Sequence, residues 1–153
     1  MKKGFTLVEL LVVMVIVTIL VTMALPKYKA AMEKGRGLEG VVNAGVLSDT
    51  VNSYYVMNGN SYGCNSTTCE AAAYAISKAP MTKATYFNYS ITDDGTGTLI
   101  PTAVRTGLSA ERTYTIFSVN SNGEETERYC TGYQRYCNAI GANIVRTAGG
   151  WNF

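Results

Sequence analysis

Hydrophobic and polar positions divide this chain unevenly. Residues 5–25 hold 17 apolar side chains in 21 positions, and Glu9 is the single charge among them. After Pro26 the apolar positions thin out and become periodic. Leu38, Val41, Ala44, Leu47, Val51 and Tyr54 recur about once per helical turn, which predicts an amphipathic helix face. A proline removes one backbone hydrogen bond, so Pro26 can end a helix or kink one that continues. Good helix formers follow it over residues 27–32, which favours continuation to about Met57, where Asn58, Gly59 and Asn60 form a stop signal. Such a helix has about 53 residues and spans about 80 Å. Gly35, Gly37, Gly40 and Gly45 weaken its middle by about 1 kcal/mol each. They mark either a hinge over residues 33–40 or small-residue positions where helices approach closely. One helix with a weak middle is the expectation.

Beyond residue 60 the pattern changes to short segments. Residues 68–78 predict a second helix, with Thr67 or Thr68 as cap, Glu70 in its first turn and Ala71, Ala72 and Ala73 to propagate it. Residues 85–92 alternate aromatic and polar side chains as a strand does. Residues 98–104 carry Pro101, which suits an edge strand. Residues 113–119 and 125–130 predict two further strands around the turn signal Asn120, Ser121, Asn122, Gly123. A helix followed by hairpin-linked strands indicates an α+β fold, with an antiparallel sheet packed on the second half of the long helix. Val, Ile, Leu and Phe supply only 21 of the 128 residues from Pro26 on. Tyr54, Tyr55, Tyr74, Tyr86, Tyr89 and Tyr114 are therefore expected to fill the core.

The apolar stretch has a chemistry of its own. Twenty-one helical residues reach about 32 Å, enough for a hydrocarbon core of about 30 Å. Lys2 and Lys3 precede it, as in a secretory signal peptide. The stretch is longer than a usual signal core, however, and Met23, Ala24, Leu25, Pro26 make a poor cleavage site. A plain signal anchor leaves Glu9 unexplained, because a carboxylate within a membrane helix costs about 2.5–3.5 kcal/mol. The helix N-terminus offsets part of that cost. No cation lies within the segment, so a partner cation is expected on another molecule.

Residues 2–11, KKGFTLVELL, carry a more specific signal. They resemble the prepilin leader of the type IV pilin family. The resemblance implies cleavage after Gly4 by a prepilin peptidase and N-methylation of the new terminus at Phe5. It implies that Glu9 pairs with the terminal amine of a neighbouring subunit and sets axial register. It also implies that Pro26 kinks one long helix. The chain then divides into a leader (1–4), a transmembrane and filament-core helix (5–25) and a pilin head (26–153). The subunit would sit in the inner membrane before assembly and then enter an extracellular filament, a homopolymer held by its N-terminal helices. An assembly platform and ATPases would act indirectly, and the filament would serve motility, adhesion or DNA uptake. A pseudopilin of a type II secretion system, or a minor pilin at a tip, is the alternative.

Composition narrows the rest. The 153 residues contain no histidine, which removes His-dependent triads and His–metal sites. The net charge of +2 comes from the leader: without Lys2 and Lys3 the balance is 11 minus 11, or zero. A broad nucleic-acid footprint is therefore not expected. No phosphate-binding loop is present, and neither enzyme activity, cofactor nor metal is expected. The four cysteines form two groups, Cys64 with Cys69 and Cys130 with Cys137, and neither is a C-x-x-C motif. In an exported chain disulfides are the default. Local pairs Cys64–Cys69 and Cys130–Cys137 are preferred because each straddles a loop, with a long-range Cys64–Cys137 bridge as the alternative. The Cys130–Cys137 loop resembles the C-terminal disulfide loop of many pilins. Tyr129, Tyr133 and Tyr136 flank it beside Arg128 and Arg135, a combination that packs structurally or binds surfaces or DNA. Asp93, Asp94, Gly95 and residues 120–127 contain oxygen ligands without a recognisable calcium spacing, so turn chemistry is expected there.

Overall fold

The structure, a computed structural model, describes residues 4–65, 68–78, 86–94, 97–141, 144–145 and 151–152. Helix α1 runs without interruption from Leu7 to Met57, through Pro26 and all four glycines of its middle. Its 51 residues span about 76 Å. It ends at the expected stop. The Asn58 N–H donates to the Tyr54 carbonyl and the Asn60 N–H to the Tyr55 carbonyl, both at 2.9 Å. Gly59 and Asn60 take φ of +64° and +63°, the left-handed conformation that terminates helices.

Helix α2 (Glu70–Lys78) follows. The predicted threonine cap differs from what is found. The Glu70 and Ala71 amides donate to the backbone carbonyls of Gly63 and Tyr62, while Thr68 bonds the Asn65 side chain. Thr67 lies outside the described residues. Strands β1 (Phe87–Asp93), β2 (Thr98–Arg105), β3 (Tyr114–Ser121) and β4 (Glu124–Gly132) make an antiparallel meander. Helix α3 (Gln134–Ala139) comes next, and the two-residue strands β5 (Ile144–Val145) and β6 (Trp151–Asn152) extend the sheet beyond β4. The architecture is α+β and pilin-like, as the sequence indicated.

β2 corrects one expectation. It is not an edge strand but lies between β1 and β3. Pro101 faces Ile91 of β1, while the ladder to β3 lapses at Ile100 and Pro101 and resumes at Thr102. The missing N–H is thus accommodated by a gap in one ladder. The β3–β4 turn is built on Asn122 and Gly123, with φ of +55° and +80°, the primed turn that a two-residue hairpin favours.

The face of α1 that packs on the sheet consists of Glu33, Gly37, Gly40, Ala44, Leu47, Ser48 and Val51. Leu38, predicted to line it, is instead exposed. The face follows helical geometry, but its first three positions are a carboxylate and two glycines. Those glycines are needed for contact. A Cβ on Gly37 would collide with the Ile140 side chain, and one on Gly40 would lie 2.7 Å from the Phe87 ring. They let the sheet and α3 approach the helix backbone of their own chain. Gly35, by contrast, faces open space. Tyr114 is fully buried, and Tyr54, Tyr55, Tyr86 and Tyr89 pack on the two core clusters. Tyr62, which the sequence pattern did not single out, is also buried.

Candidate assembly interface

The apolar half of α1 carries none of its own head. Leu7 is 80% exposed, Leu20 62% and Met23 68%. This is the one helix among the described residues that is long and apolar enough to cross a membrane, and none of its apolar window is buried. Soluble monomers do not leave so large an apolar surface open, so it has to meet lipid or protein.

Glu9 sits at the start of this arm in a capping box with Thr6. Thr6 donates its N–H and its hydroxyl to Glu9 Oε2 at 2.9 and 2.8 Å, and the Glu9 N–H donates to Thr6 Oγ1 at 3.3 Å. The carboxylate takes up the Thr6 amide and the Thr6 hydroxyl oxygen the Glu9 amide, two groups that the helix end would otherwise leave unpaired. The expectation of a helix-end offset and a cation on another molecule leaves out this local partner, although Thr-x-x-Glu is the signature of the motif.

Where the arm joins the head, α1 buries a charge. Glu33 is 4% exposed and Arg105 of β2 also 4%. Arg105 Nε donates to Glu33 Oε1 at 2.5 Å and its Nη2 to Oε2 at 3.1 Å. The Tyr114 hydroxyl donates to Oε1 at 3.1 Å. Arg105 also donates to the backbone carbonyls of Tyr86 and Thr106, and Arg36 lies 3.7 Å from Glu33 Oε2. A buried carboxylate is tolerable only when its oxygens are this fully occupied. Burial first, and then the Glu33 charge, pushes the Tyr114 hydroxyl far above its ordinary value.

Further along α1 a polar seam continues the attachment. Asn120 Oδ1 accepts from Ser48 and, at 3.0 Å, from Asn52. The Tyr62 hydroxyl donates to Asn52 Oδ1 at 3.2 Å and accepts from the Gly123 N–H at 2.9 Å. Both disulfides are local. Cys64–Cys69 closes the loop before α2, and Cys130–Cys137 ties β4 to α3. The second bridge holds Ile140 at the end of α3 against Gly37.

Residues 1–25 match a family profile described as "Prokaryotic N-terminal methylation motif". A stretch of 65 residues is 37% identical to the "Fimbrial protein" of Neisseria meningitidis serogroup B (strain ATCC BAA-335 / MC58). The chain is type IV pilin-like. The matched stretch covers 42% of this chain and 38% of the meningococcal protein, so the chain spans less than half the length of that curated relative. No solved structure gives a significant match. The first match describes an N-terminal methylation motif and the second a fimbrial protein.

In this pilin-like chain Gly4, Phe5 and Thr6 precede the helix and are exposed, whereas residues 1–3 lie outside the described residues. The tyrosine–arginine patch expected around the Cys130–Cys137 loop does not form as one surface. Tyr129 stacks on Phe117 with ring centroids 4.9 Å apart, while Tyr133 and Tyr136 meet each other at 4.8 Å. Arg128 turns to Glu125 and lies over Gly45 of α1. The oxygen ligands of residues 120–127 are partly used within the head, Asn120 by Ser48 and Asn52 and Glu125 by Arg128. The described residues contain no cluster of three metal-ligating side chains.

Proposed function

We propose that this chain is the structural subunit of a type IV pilus, cleaved after Gly4, N-methylated at Phe5, held in the inner membrane and then polymerised. The observation that carries this reading is the bare apolar arm, joined to a head that is fixed rigidly to the other half of the same helix. In the membrane lipid covers the arm, and in a filament the arms of other copies cover it. Lipid tails are about as apolar as leucine, so the transfer gains packing and not dehydration. Assembly therefore has to be driven by separate machinery, consistent with the platform and ATPases that the family resemblance implies.

Glu9 has two partners in this scheme. Before assembly it caps its own helix through Thr6. In the filament it exchanges part of that cap for the terminal amine of a neighbouring subunit, which fixes register. Pro26 lets the arm bend where it leaves the head. The leader (1–4), the arm (5–25) and the head (26–153) then act as separate functional parts. Electron cryo-microscopy of surface fibres tests the reading. It predicts this chain as the repeating subunit with arms 5–25 at the filament centre, and a fibre built from another chain would contradict it.

A further inference from the structure

A groove lies where the arm meets the head, and the membrane and assembly steps above leave it without a role. Its α1 wall runs from Thr22 at the end of the arm through Pro26 to Lys29, and its head wall is Arg112, Tyr133, Arg135 and Tyr136. Arg112 and Arg135 come from separate segments of the chain that the fold brings to the same side of α1. Lys29, Arg112 and Arg135 are exposed and form no ion pair among the described residues. Glu111, also exposed, is the acidic chain neighbour of Arg112. The height of the groove is set by the helix. From Leu7 to Leu25 the axis advances about 28 Å, close to the hydrocarbon thickness of about 30 Å. The groove thus lies at the level of the phosphates when the arm is inserted. Two tyrosines beside three cations suit that level, with rings toward the acyl boundary and charge toward the headgroups.

We propose that this groove binds the phosphodiester of an anionic phospholipid, with Lys29, Arg112 and Arg135 as its cations, while the subunit resides in the membrane. The proposal rests on the membrane-inserted stage of the function above. It gives the head a fixed seat on the bilayer, and that seat must be released when the subunit is drawn into a filament.

The test uses the full chain reconstituted in phosphatidylcholine vesicles containing spin-labelled phosphatidylglycerol or spin-labelled phosphatidylcholine. Electron paramagnetic resonance then reads the relative association of the two lipids with the protein. A cation at an anionic headgroup surface is worth about a fivefold preference, so phosphatidylglycerol should be favoured by about fivefold or more. R112Q/R135Q should bring the ratio close to one, and R112K/R135K should restore it. K27Q, which changes a lysine outside the groove, should leave most of the preference. Equal association of both lipids with the parent chain would overturn the proposal, as would an equal loss in K27Q. Flotation with the vesicles separates this from the underlying reading. A chain that floats without lipid preference refutes the groove alone, and a chain that does not float refutes membrane residence as well.

Discussion

Glu33 binds the second half of α1 to the sheet of the head. Its carboxylate receives two N–H groups from Arg105 and the hydroxyl of Tyr114. Removing Arg105 leaves the buried carboxylate without its charged partner, whereas removing the Tyr114 hydroxyl takes away one hydrogen bond. Arg105→Met should therefore cost about 3–5 kcal/mol in chemical denaturation, and Tyr114→Phe about 1 kcal/mol. Tyr114 also gives a pH dependence. Its raised pKa means the folded state holds the hydroxyl proton more tightly than the unfolded state, whose tyrosines titrate near the ordinary value of 10.0. The stability from this group is complete below pH 10 and falls as pH rises beyond it. Tyr62 and Tyr89, raised mainly by burial, act in the same direction. Denaturant titrations from neutral to strongly alkaline pH should show that loss, and a flat profile would exclude it. The sequence did not reveal Glu33. A search for apolar periodicity passes over a carboxylate, and its partner stands 72 residues away.

At the scale of elements, the glycines of α1 divide into two kinds. Gly37 and Gly40 touch the sheet and α3, so alanine at either should destabilise the head by about 1–3 kcal/mol through overpacking. Gly35 faces open space, so Gly35→Ala should stabilise the helix by up to about 1 kcal/mol. Thermal melts of the three variants check both signs. The stop of the long helix, the hairpin-linked strands and both local cysteine pairs were legible because each rests on local signals: turn residues, alternation and cysteine grouping. The interior position of β2 was not, since a proline indicates a missing ladder bond without saying which neighbour forgoes it. Leu38 was misplaced because the apolar rule preferred a leucine to the glycines on either side of it. The Cys130–Cys137 bridge closes a short loop, and replacing both cysteines by serine should cost about 2–2.5 kcal/mol in the chain-entropy account. The larger consequence should be a looser α3, read as faster amide exchange over residues 134–139.

At the scale of the whole molecule, the chain is an apolar lever fixed to a head that leans on half of it. The apolar run and the KKGFTLVELL segment made that division legible from the first 25 residues. The Glu9 capping box adds a distinction. Glu9→Val removes both the charge and the cap, whereas Glu9→Gln keeps hydrogen-bonding capacity and removes only the charge. If Glu9 sets register through a charge pair, Glu9→Gln should insert into membranes normally yet give few fibres, and normal fibre yield would remove that role. The most direct measurement is intact mass spectrometry of fibres sheared from the surface of the source cell. The fibres should yield a chain that begins at Phe5, carries one N-terminal methyl group and retains both disulfides. Fibres built from a chain that still begins at Met1, or fibres lacking this chain, would overturn the proposed processing and assembly.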